Sequence, residues 1–281
     1  MNTLKTGILL LVLTLILLFG GQAVAGTQGM TVALVLALLM NLSAYFWGDK
    51  IALAMSRAQP VTPEQAPQMY RIMERLCQKT GLPMPRVYII PQAQPNAFAT
   101  GRSPSKASIA ATAGLLETMN DEELEGVLAH ELAHVRNRDT LIMVVAATIA
   151  GAITYAAHLG YFAALFGGGR SGGRNGNGNA FVMLLMLILA PIAALLVQLA
   201  ISRSREYEAD ATAARMIGHG YGLANALDKL GTYAKRIPMQ NVEPSQAHMF
   251  IVQPLSGGMA SLFSTHPPVE ERIQRLRALV V

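Results

Sequence analysis

The chain of 281 residues is 52% hydrophobic and only 14% charged, a composition too apolar for an ordinary soluble domain and one that favours a membrane protein. Its net charge of +5 comes from scattered lysines and arginines, and aromatic residues reach only 6%, so we expect no nucleic-acid partner. The single cysteine, Cys77, rules out an internal disulfide.

Two apolar runs open the chain. Residues 7–25 carry no charge and approach the roughly 20 apolar residues that cross a bilayer. A second run, 30–48, follows a short uncharged turn and contains Trp47, a residue type common at membrane interfaces. We therefore expect a transmembrane hairpin over residues 1–48. A cleaved signal peptide is the alternative for the first run, because Lys5 and an Ala-Val-Ala sequence imitate one.

Residues 49–140 are polar and mixed in composition, and we expect them to form the first part of a folded domain. Residues 66–80 predict a helix. The segment RVYII at 86–90 predicts a strand, and KASIAAT at 106–112 predicts a second one after a turn-rich stretch.

A further helix is predicted to begin near Asn120. Asn120 and Glu123 have the spacing of a capping box, and Asp121, Glu122 and Glu123 supply negative charge where the helix dipole favours it. The helix carries the segment LAHELAHVRNRD at 128–139.

Residues 141–201 predict a second hydrophobic hairpin. Its two apolar runs, 141–166 and 181–201, are long enough to span a bilayer, and a flexible glycine-rich linker joins them. Because the runs contain Gly151 and Pro191, partial packing in a protein core or a shallow position in the membrane is the alternative.

Basic residues predict the orientation of the chain. Ten lysines and arginines lie in 49–140 and nine in 202–281, against two in the glycine-rich linker. The positive-inside rule then places both polar segments in the cytoplasm. We interpret these segments as halves of one domain that the second hairpin divides.

The segment at 128–139 contains His-Glu-x-x-His. Side chains four residues apart lie on one face of a helix, so His130 and His134 can direct their imidazoles at one metal ion. Glu131 lies about 100° around the helix from His130, where it can act on water without binding the metal. A Zn²⁺ ion would lower the pKa of that water to near 7, and a carboxylate could then take its proton. The alternative is a chance match on a surface helix.

A catalytic zinc site needs a third protein ligand. The metzincin pattern would place glycine at 137 and histidine at 140, but the chain has Asn137 and Thr140, which excludes that pattern. The segment SRSREYEADATAARM at 202–216 offers carboxylates instead.

Helical geometry separates the carboxylates of residues 202–216. Glu206 and Asp210 share a face with small alanines, which would let two helices approach closely, whereas Glu208 points about 200° away from Glu206. We therefore predict that Glu206 is the third ligand and that Asp210 orients a ligand histidine through its free N–H. A solvated helix charge is the alternative for Glu206.

Three ordered motifs together resemble a known family. HELAH, then SREYEAD after a hydrophobic hairpin, then LFSTHPPVEERI resemble the HtpX-type membrane zinc metalloproteases, relatives of the CAAX prenyl proteases. The resemblance implies a mainly α protein with a small β-sheet, a polytopic membrane protein with a gluzincin-like zinc protease domain and one Zn²⁺ per chain. In that family the glutamate of E-x-x-x-D is the third ligand, which agrees with Glu206 and Asp210.

The resemblance also divides the chain and suggests a biological role. Residues 49–140 and 202–281 would be the two parts of the catalytic domain, and 1–48 and 141–201 the two hydrophobic hairpins. The implied activity is protein quality control at the cytoplasmic face of a bacterial inner membrane, on misfolded or damaged membrane proteins. The implied partners are these polypeptide substrates and the lipid bilayer.

Two further places gain a role from the resemblance. QPNAFATG at 94–101 looks like the family's edge strand, where Asn96 and Ala97 would pair with an extended substrate; an ordinary strand after a turn is the alternative. His266 could stabilise the oxyanion that forms when water attacks the peptide carbonyl. The alternative for His266 is a residue that merely precedes a helix.

Two other classes of function compete with a protease. A noncatalytic metal-binding membrane chaperone or scaffold would not need Glu131, and the general base beside intact ligands therefore argues against it. A transporter would ordinarily place its binding groups near the middle of the bilayer, whereas these polar motifs lie outside the apolar runs.

Overall fold

The computed structural model describes residues 2–143, 145, 203–236, 251 and 267–279. In chain order its elements are α1 (Asn2–Met55), β1 (Gln59–Pro60), α2 (Pro67–Thr80), β2 (Arg86–Ile90), β3 (Ala97–Thr100), a 3-10 turn (Pro104–Lys106), β4 (Ser108–Thr112), α3 (Ala113–Thr118), α4 (Asp121–Asn137), α5 (Arg203–Ile217), α6 (Tyr221–Arg236) and α7 (Val269–Ala278). The protein is thus mostly helical with one small sheet. The predicted linker, most of the second hydrophobic hairpin and His266 lie outside the described residues.

Helix α1 folds back on itself near its middle. Gly26 has a left-handed backbone with φ +59. The Asn41 side chain donates a hydrogen bond of 3.0 Å to Thr14 Oγ1, although 27 residues of straight helix would separate them by about 40 Å. The two arms approach so closely that a Cβ on Gly21 would lie 2.4 Å from the carbonyl oxygen of Gly29. Residues 2–55 therefore form a helical hairpin.

The second arm of α1 has the length and composition of a membrane span. Within the described part of the chain, Gly26–Met55 is the one segment long and apolar enough to cross a bilayer. Many of its large apolar side chains are exposed, including Val35, Leu39 and Trp47. An apolar surface of this extent is costly in water and marks a membrane or partner contact.

The sheet has the strand order β1-β2-β4-β3. Strands β2 and β4 are parallel, whereas β1 and β3 run antiparallel to their neighbours. The predicted strand at 86–90 is confirmed in its bounds. The strand expected at 106–112 begins two residues later, at Ser108, because the chain forms the 3-10 turn up to Lys106. Strand β3 lies at an edge of the sheet, as the family resemblance implied.

The two faces of the sheet pack against different elements. On one face, Leu53 near the end of α1 packs with Ile90, Phe98 and Ala110. The other face joins the main core, which contains the buried side of α2 and most of α4. The alternation of side chains along each strand divides the faces in this way. The sheet therefore connects the N-terminal hairpin to α4, the helix that carries His130 and His134.

Helix α4 is the central element of the core. Its start is capped as predicted: Glu123 N donates to Asn120 Oδ1 at 2.9 Å, and Asn120 N donates to Glu123 Oε2 at 3.0 Å. Gly126 lets α6 approach closely, because a Cβ at this position would lie 2.4 Å from Leu223 N. Helix α4 is therefore held between β3, α5 and α6.

Candidate metal centre

Helix α4 brings two histidines to one point. His130 and His134 are 2% and 4% exposed, and their Nε2 atoms are 3.2 Å apart. The rings meet edge to face, with centroids 4.7 Å apart. The four-residue spacing produces this convergence because it places the two side chains on successive turns of one helix face.

Helix α5 adds a carboxylate to the same point. Glu206 is 1% exposed; its Oε2 lies 3.7 Å from His130 Nε2 and its Oε1 lies 3.6 Å from His134 Nε2. Ala209 on this helix is fully buried, and its small side chain lets α5 approach α4 closely. In contrast, the Glu208 side chain is 61% exposed and pairs with Arg215 at 3.1 Å. The structure thus separates the two glutamates as the helical geometry predicted.

Each histidine has a second carboxylate behind it. Asp210 Oδ1 lies 2.9 Å from His130 Nδ1, and Asp139 Oδ2 lies 3.2 Å from His134 Nδ1. A carboxylate beside Nδ1 favours the tautomer with its proton on that nitrogen. The lone pair of each imidazole is then on Nε2, which lies within 3.7 Å of a Glu206 oxygen.

This donor set fits a metal cation. Ligand atoms about 2.0–2.1 Å from a tetrahedral zinc ion lie about 3.3–3.4 Å from one another, close to the 3.2, 3.6 and 3.7 Å found here. At these separations no water fits between the two nitrogen lone pairs and the carboxylate. The three groups repel one another unless they share a cation. Among the described residues, His130, His134 and Glu206 form the one group that could hold a metal ion in this way.

The electrostatics of the site favour positive charge between these residues. Burial alone would lower the pKa of His134, but the hydrogen bond to Asp139 and the carboxylates of Glu206 and Glu131 raise it to about 9. Burial lowers the pKa of His130, which keeps that imidazole neutral and able to bind a metal. The surrounding carboxylates thus stabilise a cation, whether it is a proton or a metal ion.

Glu131 lies beside the site but is not one of the three residues whose ligand atoms converge. It is 5% exposed, and burial raises its pKa to about 7, although His134 and a backbone hydrogen bond from Ala99 act in the opposite direction. A carboxyl group with this pKa can both accept and release a proton near neutral pH. The bond from Ala99 also connects Glu131 to strand β3.

Two residues of the site were missed by the sequence analysis. Asp139 follows His134 by five residues, within the quoted motif, and could have been found as a nearby carboxylate. Arg272 on α7 is 0% exposed; it donates to Asp210 Oδ1 from Nη2 at 2.7 Å and to Oδ2 from Nε at 2.8 Å. The sequence pattern that could have indicated Arg272 is an arginine between Val269 and Leu276, on the apolar face of a short helix.

The arginine changes the charge state of its partner. Burial would raise the pKa of Asp210, but the charge and hydrogen bonds of Arg272 lower it to about 2. The same pairing raises the pKa of Arg272 against the effect of its own burial. Asp210 therefore stays ionised beside His130.

The two predicted substrate-binding residues are both buried. Asn96 is 6% exposed and Ala97 is 1% exposed. The Asn96 side chain accepts a hydrogen bond of 3.2 Å from Ile251 N, and its backbone N–H donates to Thr112 Oγ1 at 2.9 Å. Ala97 pairs with Ala111 across the sheet. The side chain of Asn96 thus contacts Ile251, and its backbone N–H attaches the start of the edge strand to Thr112 on β4.

Comparison with known proteins agrees with this geometry. Residues 63–280 match peptidase family M48. The chain is 56% identical over 276 residues to a protease HtpX homolog of Desulfatibacillum aliphaticivorans, covering 98% of this chain and 89% of the relative. It is 51% identical to a protease HtpX homolog of Pelotomaculum thermopropionicum over the full length of both chains.

A solved structure shares the fold. The crystal structure of Ste24p from S. mikatae superposes with a TM-score of 0.52 at 22% sequence identity, covering 96% of this chain and 62% of the Ste24p chain. This likeness concerns the fold alone. The sequence matches show that the chain belongs to peptidase family M48, among the HtpX-type metalloproteases.

Proposed function

We propose that this protein is a membrane-anchored zinc endopeptidase with one Zn²⁺ per chain, held by His130, His134 and Glu206. The observation that carries the proposal is the convergence of two Nε2 atoms and one carboxylate at separations of 3.2–3.7 Å, which suits tetrahedral zinc. Zinc in this position would polarise a peptide carbonyl and make water a better nucleophile near neutral pH. Such a donor set and an open fourth position are typical of gluzincin-like catalytic sites.

Glu131 would be the general base. Its carboxylate is next to the ligand set and has a pKa of about 7, so it can take a proton from the attacking water and deliver it to the leaving amine. Asp210 would orient His130 through Nδ1, at the 2.9 Å separation described above. His266 lies outside the described residues, and its role as an oxyanion donor is proposed from the family resemblance alone.

The substrate would bind as an added strand on β3. Strand β3 is at the sheet edge, and its Ala99 N–H reaches Glu131, so an extended polypeptide beside Asn96 and Ala97 would run past the general base. Strand addition would use the backbone groups of β3, whose residues are buried in this structure. This geometry favours cleavage within an extended segment of polypeptide.

The membrane would determine which polypeptides reach the site. The apolar exposed arm of α1 supports a hairpin anchor over residues 1–48, and the basic residues of 49–140 and 202–281 favour a cytoplasmic catalytic domain. Residues 141–201 would form the second hairpin of a multi-pass protein in a bacterial inner membrane. Substrates would be misfolded or damaged membrane proteins, cleaved at the cytoplasmic face.

The test combines metal content with proteolysis. Wild-type protein purified in detergent is expected to contain one zinc per chain and to cleave an unstructured loop of a model membrane protein. Glu206→Gln is expected to lose both properties, because a neutral amide is a poor zinc ligand. Glu208→Gln, two residues away on the exposed side of α5, is the matched control and should retain both. Equal zinc content in the two variants would overturn the ligand assignment.

A further inference from the structure

Arg272 is the buried charge that the proposed chemistry does not use. It is fully buried, and a buried charge is retained only where it is paired and hydrogen-bonded. Its two bonds to Asp210, at 2.7 and 2.8 Å, form a bidentate pair that fixes the plane of the carboxylate. Its Nη1 also lies 3.8 Å from Glu206 Oε2.

The bidentate pair positions the oxygen that faces His130. Asp210 Oδ1 accepts from Arg272 Nη2 and lies 2.9 Å from His130 Nδ1. Because both oxygens of the carboxylate are held, Oδ1 cannot rotate away from the imidazole. Arg272 thereby holds the carboxylate oxygen that lies beside the His130 ring, and its Nη2 also lies 3.4 Å from His130 Nε2.

A third contact of Arg272 leads to the edge strand. Its Nη1 donates to the carbonyl oxygen of Ile251 at 3.1 Å, and the backbone N–H of Ile251 donates to Asn96 Oδ1 at 3.2 Å. Asn96 directly precedes β3. A continuous series of hydrogen bonds thus runs from Asn96 through Ile251 and Arg272 to Asp210, whose Oδ1 lies 2.9 Å from His130 Nδ1.

We infer that Arg272 is a positioning residue that holds His130 in its metal-binding orientation and connects this histidine to the start of the edge strand. The inference rests on the proposed metal site. It assigns to α7, the last described helix, a role in metal affinity as well as in packing. It also means that the strand where substrate would pair and the histidine that would bind the metal are connected through one chain of polar contacts.

The experiment measures zinc affinity by competition with a fluorescent chelator, using full-length protein in detergent. Arg272→Gln is expected to weaken zinc binding about 10- to 100-fold, the usual effect of removing support behind a metal ligand. Arg272→Lys keeps the charge but cannot hold both oxygens of Asp210, so it should also weaken binding. Arg275→Gln is the matched control, because Arg275 lies one turn along α7 and pairs with exposed Glu271; it should bind zinc like the wild type.

A second readout reports the geometry of the ligands. With Co²⁺ in place of zinc, the visible absorption bands depend on how the ligands are oriented, and both Arg272 variants should shift them while Arg275→Gln should not. A role in folding alone would lower the melting temperature of the Arg272 variants without changing affinity or absorption. That result would overturn the inference, and so would the failure of both Arg272 variants to fold.

One double variant and one single variant test the path of the effect. If Arg272 acts through Asp210, the effects of changing the two residues on zinc affinity should not add. The double variant Asp210→Asn, Arg272→Gln should then have an affinity within about threefold of the single variant that binds zinc less tightly. Multiplied effects would overturn that path. Asn96→Ala should weaken zinc binding by about 2- to 30-fold, and unchanged affinity would overturn the link to the edge strand.

The outcomes separate this inference from the proposed function. Wild-type protein that binds no zinc would refute the metal site itself. Wild-type protein that binds zinc tightly, beside Arg272 variants that bind it equally well, would refute only the positioning role.

Discussion

Replacement of Glu131 by glutamine tests the proposed chemistry most directly. Glutamine has nearly the same shape, and its carbonyl oxygen can still accept the hydrogen bond from Ala99 that the carboxylate accepts. The His130, His134 and Glu206 side chains are untouched. Glu131→Gln should therefore fold and bind zinc like the wild type.

The expected loss of activity follows from the role of a general base. A positioned acid–base group contributes about 10²–10⁴-fold to the rate, which corresponds to about 2.7–5.4 kcal/mol of transition-state stabilisation. An amide cannot take a proton from water, so the whole of this contribution should be lost. The assay is single-turnover cleavage of a labelled membrane-protein loop, with zinc measured in the same samples.

The same substitution should stabilise the protein after metal removal. Burial raises the pKa of Glu131 from 4.5 to about 7, so the native state binds the proton more tightly than the unfolded state. Ionisation therefore destabilises the fold by an amount that is absent below about pH 4.5, grows up to about pH 7 and is constant above it, on the order of 3 kcal/mol. Metal-free Glu131→Gln should have the higher melting temperature at pH 8, and a much smaller advantage at pH 5.

Two results would contradict this reasoning. A Glu131→Gln protein with the zinc content and proteolytic activity of the wild type would exclude Glu131 as the general base, even though the chain belongs to a protease family. A metal-free variant no more stable than the wild type at pH 8 would show that the carboxylate is not destabilised by its burial.

Three further changes test other parts of the structure. Asp139→Ala removes the carboxylate 3.2 Å from His134 Nδ1 and should weaken zinc binding about 10- to 100-fold in the chelator competition; unchanged affinity would exclude this support. Gly126→Ala should destabilise the protein by about 1–3 kcal/mol in thermal denaturation, because the new Cβ meets Leu223 N at 2.4 Å. Gly231→Ala is its control, since the nearest atom is 3.5 Å away, and it should be neutral or slightly stabilising. A reporter fused after residue 60 should be active in the cytoplasm, and activity only outside it would reverse the orientation.

The local parts of the fold and of the site could be predicted from the sequence alone. The capping box at Asn120, the strand at 86–90 and the shared face of His130 and His134 all depend on residues fewer than five positions apart. At that range the periodicity of a helix or strand determines which side chains meet. The distinction between Glu206 and Glu208 has the same origin, because one side of α5 must be buried.

Only the tertiary structure decided how the distant segments meet. Helix packing brings Glu206 within 3.7 Å of a histidine 76 residues earlier, and it places Arg272 against Asp210, although an arginine in a charged helix would ordinarily be solvated. It also directs the Asn96 side chain to Ile251, a contact between distant residues that no local pattern indicates. These placements depend on the sum of many apolar contacts between α4, α5, α7 and the sheet, and no local period encodes that sum.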